Sequence, residues 1–334
     1  MNPIEPTIMN PIIEPTLLYR INYSTPSMKT NYVIIDSEEK YVYTCGKVGV
    51  HGSSCIRKWN LKTGKLVDCY AGADNDNIIH LSLDSSGQWL LDLSDNCHIS
   101  IISADDFQPV ASCGSVIGSQ LDYLNFSPSQ VLLTPNKQVI VIAGSNTSTI
   151  LNQYGHQEVT SNIYCLYNME GNYEKRYDFM ATASNVNSID ISNNSQYLLT
   201  GCQSKAVALW DLASATEVNN ICYHKYPVLA VKFSPKMDFC ASGGYDGIKI
   251  SRFDSHMKSH FDRYIRAPTY FLDISKDGRY LLTTFQGVSV IDLISDELIN
   301  VPHHWDSKLV CLKFCPKNYH IFCGYKDYAE VWSI

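Results

Sequence analysis

The feature that most constrains this chain is a polar turn that returns seven times. The copies are Asp36-Ser-Glu-Glu-Lys-Tyr41, Asp84-Ser-Ser-Gly-Gln-Trp89, Thr134-Pro-Asn-Lys-Gln-Val139, Ser192-Asn-Asn-Ser-Gln-Tyr197, Ser234-Pro-Lys-Met-Asp-Phe239, Ser275-Lys-Asp-Gly-Arg-Tyr280 and Cys315-Pro-Lys-Asn-Tyr-His320. Asp, Asn, Ser, Pro and Gly favour such turns by fixing φ or by bonding the local backbone. After each turn comes an apolar run, and then a large apolar residue followed by a small polar one: Trp59-Asn60, Ile102-Ser103, Tyr167-Asn168, Trp210-Asp211, Phe253-Asp254, Ile291-Asp292 and Trp332-Ser333. The spacings between these pairs are 43, 65, 43, 43, 38 and 41 residues. A near-constant period of this length marks a repeat architecture, in which one supersecondary unit is copied and stacked. Length alone would suggest two domains for 334 residues, but the repeat overrides that expectation.

Each unit reads as four short strands. In the fifth, strand A runs near Val228 to Phe233, B near Phe239 to Ser242, C near Ile248 to Phe253 and D near His256 to Tyr264. Val207-Ala-Leu-Trp210-Asp211-Leu212 resembles the Trp-Asp signature of a WD repeat. Val228-Leu-Ala-Val-Lys-Phe-Ser-Pro235 and Ala241-Ser-Gly-Gly-Tyr-Asp246-Gly247 resemble the middle of the same repeat. The resemblance runs from about Thr16 to Ile334, strongest in the fourth and fifth units and faintest in the second and third. It implies an all-β fold, a seven-bladed WD-repeat-type β-propeller whose closure leaves only short protected edges. The chain stops after the seventh strand C, and Leu17 to Tyr23 stands as an orphan strand before the first unit. That strand is expected to close the last blade. The expected organisation is a flexible tail over 1–15 and a single propeller over 16–334.

The family also implies a buried network of His, Ser or Thr, Asp and Trp in each strong repeat. The fifth unit has His224, Ser242 and Asp246, with Phe253 in place of Trp; the fourth has Thr200 and Trp210, with Ser204 near the Asp position. Most other units lack the set, so their stability must come mainly from apolar packing. The third unit carries extra residues between strands B and C, around Ser145 to Ser161, which read as an exposed loop. A shorter insertion spans Gly46 to Ser53 in the first. A near-duplicate, Met1-Asn-Pro-Ile-Glu-Pro-Thr7 and Met9-Asn-Pro-Ile-Ile-Glu-Pro-Thr16, contains four prolines that forbid a regular helix.

The formal net charge of -7 disfavours a general nucleic-acid binder, which needs excess cations against phosphate. Twelve cysteines, several in apolar runs such as Cys45 and Cys240, fit buried free thiols in a reducing compartment, cytoplasmic or nuclear. The sequence shows no signal-peptide pattern and no apolar stretch near the roughly 20 residues of a membrane span. Asn22, Asn125, Asn146 and Asn193 match the glycosylation pattern, which without a secretory signal is read as accidental.

The search for chemistry gives no cofactor, metal or catalytic set. A nucleophile elbow and a phosphate-binding Gly-rich loop are both missing from the sequence, and Gly46 to Gly52 reads as a hairpin loop. Cys311, Cys315 and Cys323, near His303, His304 and His320, suggest zinc. On one strand, however, Cys311 and Cys315 would stand about 13 Å apart, so core packing is the expected role. Asp190 and Asp273 are the exceptional carboxylates near strand-A ends, too few to argue for a channel hydrolase.

Two binding features remain. Tyr226, Tyr245, Tyr270, Phe285, Trp305 and Tyr325 fall at or near the D–A and B–C loops, which build one face of the ring. Aromatics there are expected to hold a protein or peptide partner, within a multiprotein complex, on a monomeric scaffold. Separately, Lys249, Arg252, Lys258, Arg263 and Arg266 form a basic stretch opposed only by Asp254 and Asp262. This could serve an acidic partner or a peripheral anionic lipid, although the Phe-Arg-Arg-Gly motif of phosphoinositide-binding propellers is absent.

Overall fold

A computed structural model of the chain describes residues 14–23, 28–48, 54–71, 77–112, 126–151, 157–169, 172–181, 185–284, 287–302, 309–315 and 318–334. Among them are twenty-eight strands, numbered β1 to β28 in chain order, in seven four-stranded antiparallel sheets. Six sheets are sequential: β2–β5, β6–β9, β10–β13, β14–β17, β18–β21 and β22–β25. The seventh has the order β26-β27-β28-β1, so the first described strand joins the last three. The all-β, seven-bladed propeller expected from the repeat is therefore the observed fold, closed by the N-terminal strand.

The recurring turn has one physical explanation. In six copies the first residue offers a side-chain oxygen to the backbone N–H five positions on: Asp36 to Tyr41, Asp84 to Trp89, Thr134 to Val139, Ser192 to Tyr197, Ser234 to Phe239 and Ser275 to Tyr280. The backbone N–H of each first residue returns to the carbonyl of the same partner, and Cys315 does so with His320 in the seventh. The fourth position is left-handed, with φ of 55° at Glu39, 72° at Gly87, 59° at Lys137, 63° at Ser195, 59° at Met237 and 80° at Gly278. These A–B turns line the ring face opposite the B–C turns.

Closure is fastened at several points. β1 (Thr16–Asn22) pairs with β28 (Tyr328–Ser333) from Thr16↔Ser333 to Asn22↔Tyr328. Arg20 lies 3.5 Å from the buried carboxylate of Glu330 and sits over the Tyr328 ring at 4.2 Å. Buried Tyr23 places its hydroxyl between the carbonyls of Tyr325 and Tyr328, 2.7 Å from the latter.

Blades are tied to each other at the channel. Gln130 Oε1 accepts from the Ile189 N–H at 2.9 Å, and Ser188 Oγ from Val231 N–H at 3.2 Å. Asn31 and Asn187 donate to the Ile78 and Val228 carbonyls. The rest of the cohesion comes from apolar residues packed between sheets, such as Leu199, Val207, Leu209, Val228 and Phe233 between the fourth and fifth blades.

The expected loop of the third blade is corrected. β11 (Val139–Leu151) and β12 (Gln157–Met169) stay paired out to Ile150↔Glu158 and Leu151↔Gln157. A polar sequence can run as a ribbon when its ladder bonds are satisfied within the hairpin. In the first blade, β3 (Tyr41–Val48) and β4 (Ser54–Asn60) remain paired to Lys47↔Ser54. Residues 1–13, 49–53 and 152–156 lie outside the described residues, so most of the expected tail is not among them.

Candidate partner-binding site

The fifth blade, β18 (Val228–Phe233), β19 (Phe239–Gly244), β20 (Gly247–Phe253) and β21 (Ser259–Ile265), carries the features on which function can be argued. Its B–C turn is held by the family network. His224 Nδ1 lies 2.9 Å from Asp246 Oδ1, and His224 Nε2 lies 2.9 Å from Ser242 Oγ. Asp246 also accepts from the Lys225 N–H at 2.8 Å. Burial opposes its charge, yet these donors keep the Asp246 carboxyl below the usual range; burial, against Asp246, depresses the His224 pKa. Such a network is rigid because every member is satisfied. In the fourth blade Trp210 Nε1 donates to Thr200 at 3.1 Å, and Trp59 does the same to Thr44 in the first at 2.9 Å.

This rigid turn presents Tyr245. Tyr226, from the loop before β18, meets it edge-on at 6.4 Å and 82°. Tyr270, from the loop before β22 (Leu272–Ile274), meets it at 5.4 Å and 85°. All three keep at least half of their surface exposed. A hydrogen bond to Tyr245, more than burial, raises the Tyr270 phenol pKa. Edge-to-face packing holds the three rings in one arrangement, so little freedom remains to be lost on binding.

Two further exposed tyrosines adjoin the ladder, and sequence reasoning missed both. Tyr264 donates its hydroxyl to the Asp246 carbonyl, and Lys249 donates to the carbonyl of exposed Tyr223. Gly247, at φ +130°, lets β20 approach this corner: a Cβ there would fall 2.5 Å from the Ile265 carbonyl and 3.0 Å from the Tyr264 ring. The signal was the position of both tyrosines at the top of a strand D, beside a B–C turn.

The other expected aromatics fare differently. Tyr325 is 1% exposed and stacks on Tyr328 at 4.4 Å, so it is a core residue and not a surface contact. It is the last residue of β27 (His320–Tyr325), and strand alternation turns its ring inward. Phe285 and Trp305 lie outside the described residues.

The basic stretch divides. Arg252 pairs with Asp262 at 3.3 Å, and Arg263 lies 2.6 Å from Asp296 and 3.7 Å from Asp262. Both arginines line a groove of about 200 Å³ between the fifth and sixth blades, together with Arg279, itself 2.6 Å from Asp292. Exposed pairs of this kind add little stability, but they offset the positive field that an anionic ligand would meet. Lys258 is exposed on the outer side, whereas Lys249 and Arg266 lie at the tyrosine corner.

The channel carboxylates act as braces. Asp190 holds Lys232 Nζ at 2.8 Å with one oxygen and the Phe233 N–H at 2.8 Å with the other. Asp273 accepts from the Phe314 N–H at 2.8 Å and lies 3.9 Å from Lys232. Burial pushes the Asp273 carboxyl up against the pull of Lys232. Burial works against the Lys232 ammonium, but the two aspartates outweigh it and raise its pKa. Every one of these contacts joins neighbouring blades. Cys311, Cys315 and Cys323 are buried in apolar clusters, and burial pushes the Cys311 thiol up to about 11. Among the described residues no three His, Cys, Asp or Glu side chains converge as metal ligands would.

Comparison with known proteins agrees with the geometry. The family described as WD domain, G-beta repeat matches residues 173–211 and 216–248. No curated protein matches the chain by sequence. Among solved structures, the β-propeller domain of Myceliophteria thermophila Cps50 (Swd1) superposes with a TM-score of 0.71 at 11% identity, covering 94% of this chain and 99% of that one. At that identity the likeness concerns the fold. The two matched repeats span the blades where the His224 network and the Trp210–Thr200 bond occur, so repeats of the WD type lie within a ring of seven sheets that has the β-propeller fold.

Proposed function

We propose that the chain is a non-catalytic scaffold that holds a protein or peptide partner at the tyrosine corner of the fifth blade. WD-repeat propellers commonly mediate protein interactions and are typically non-catalytic. The observation that carries the reading here is the exposed, mutually packed ladder Tyr226–Tyr245–Tyr270. Its rings arise from three loops on a rigid frame, which is where binding residues concentrate. The internal pairing of Arg252 and Arg263 argues against the basic rim as the primary site. Ten described cysteines are free and eight of them are buried, which supports a reducing compartment, cytoplasmic or nuclear. Among the described residues no helix is long and apolar enough to cross a membrane.

The test is affinity purification with the triple variant Tyr226→Ala/Tyr245→Ala/Tyr270→Ala, quantified by mass spectrometry against the wild type. Loss of discrete partners with an unchanged melting temperature is expected. An unchanged partner profile overturns the assignment.

A further inference from the structure

The charge around the tyrosine corner is one-sided. Lys205, in the B–C turn of the fourth blade, is exposed, and its carbonyl accepts the His224 N–H at 2.8 Å. Exposed Lys225 lies between His224 and Tyr226. Lys249 reaches the Tyr223 carbonyl from β20. Exposed Arg266 follows the end of β21, two residues after Tyr264. Four cations thus border five exposed tyrosines. The one carboxylate in the same loops and turns, Asp246, is already occupied by His224 and by the Lys225 N–H. A chain with a formal charge of -7 has gathered here a basic and aromatic surface whose one local carboxylate is hydrogen-bonded from within.

We infer that the corner recognises an extended, acidic peptide segment: Asp or Glu side chains pairing with Lys205, Lys225 and Arg266, and apolar or proline residues lying on the tyrosine faces. The inference rests on the assignment of the corner as the partner site and adds the partner's chemistry. Its size fits a segment better than a globular face. An aromatic side chain presents 150–250 Å² when fully exposed, so five half-exposed tyrosines offer roughly 500 Å². A standard protein–protein interface takes about 800 Å² from each partner. The ring geometry disfavours a single-stranded nucleic acid, because bases stack on open ring faces. Here neighbouring rings already meet edge-on at 5.4 and 6.4 Å, leaving no slot for a base between them. Opposite charges at such a rim steer encounter and set specificity more than they add affinity. The tyrosines therefore supply most of the hold, and the cations choose the partner.

The experiment pans a random 12-residue display library on the full chain. The enriched peptide is then measured by fluorescence anisotropy against the wild type, the tyrosine triple variant, and the charge-reversed Lys205→Glu/Lys225→Glu/Arg266→Glu, each checked for an unchanged melt. Controls are the same peptide with Asp and Glu replaced by Asn and Gln, an oligouridine, and phosphoinositide vesicles. Expected are acidic peptides whose affinity falls about tenfold on charge reversal, at roughly 0.5 kcal/mol per exposed pair, and falls again in high salt. Neutral or basic consensus peptides, or full affinity after charge reversal, overturn the inference alone if the tyrosine variant still loses them. Peptides that bind the tyrosine variant as well as the wild type, or no enrichment, overturn the corner itself. Tighter binding of oligouridine or vesicles than of the enriched peptide overturns the peptide reading.

Discussion

Replacing Tyr23 by Phe isolates the fastening of the ring. The hydroxyl lies between the carbonyls of Tyr325 and Tyr328, and its single proton serves whichever is better placed. The ring itself stays buried in the substitution. What is lost is one buried hydrogen bond, worth about 1 kcal/mol net, and part of the solvation of a carbonyl that water cannot reach, a further 1 kcal/mol or so. A cost of about 2 kcal/mol follows. For 334 residues at roughly 2.1 cal/mol/K each, the unfolding entropy is about 0.7 kcal/mol/K, so the melting temperature should fall by about 3 °C. Tyr23→Ala also empties the pocket filled by the ring, costing about 4 kcal/mol or more and moving the melt by 6 °C or beyond. Differential scanning calorimetry at matched concentration reads both. A Tyr23→Phe melt within half a degree of wild type would refute the fastening, and so would Ala and Phe variants that melt together.

Other consequences are equally direct. Tyr325→Ala should destabilise by about 3–5 kcal/mol in chemical denaturation, because it removes a fully buried ring stacked on Tyr328, while Tyr226→Ala should leave the denaturation curve unmoved. Met237→Gly should stabilise by up to about 1 kcal/mol by relieving its left-handed backbone, whereas Gly87→Ala should cost more than Gly278→Ala. The reason is that a Cβ at Gly87 falls 2.7 Å from Ser37 Oγ, and one at Gly278 meets only Phe239 at 3.9 Å. His80 is buried against Tyr32 at 4.4 Å, its Nδ1 has no hydrogen-bond partner among the described residues, and burial together with Lys313 lowers its pKa to about 3. The folded state therefore disfavours the imidazolium. Its contribution is complete above the unfolded value of about 6.5 and is lost as pH falls from there toward 3, at up to about 1.4 kcal/mol per unit. His80→Phe should flatten the pH dependence of melting between pH 6 and 4, and an unaltered slope contradicts this.

Much of the ring was legible because its signals are local. The turn residues Asp36, Ser192 or Ser275 each bond a backbone N–H five positions on, so their spacing survives wherever the blade does. The fifth-blade network was legible for the same reason, as was the orphan strand at Leu17 to Tyr23. Burial at strand ends was less legible. Tyr245 and Tyr325 both stand at B–C turns, yet one is half exposed and the other is packed on Tyr328, since a one-residue change in register reverses the side a residue faces. Charge pairing was hidden because Arg263 finds Asp296 on the next blade, 33 residues away. Asp190 and Asp273 look unusual in sequence because their partners, Lys232 and the backbone of Phe233 and Phe314, come from neighbouring blades. The paired ribbon after Ser145 was read as a loop because composition says nothing about which backbone groups find each other.

Site-specific photocrosslinking tests the central claim most directly. A benzoylphenylalanine placed in turn at Tyr226, Tyr245 and Ile294, an exposed residue in the groove between the fifth and sixth blades, reports which surface meets the partner in cells. The same discrete adduct from positions 226 and 245, with none from 294, is the predicted result. Adducts that form at 294 and not at the two tyrosine positions would contradict it.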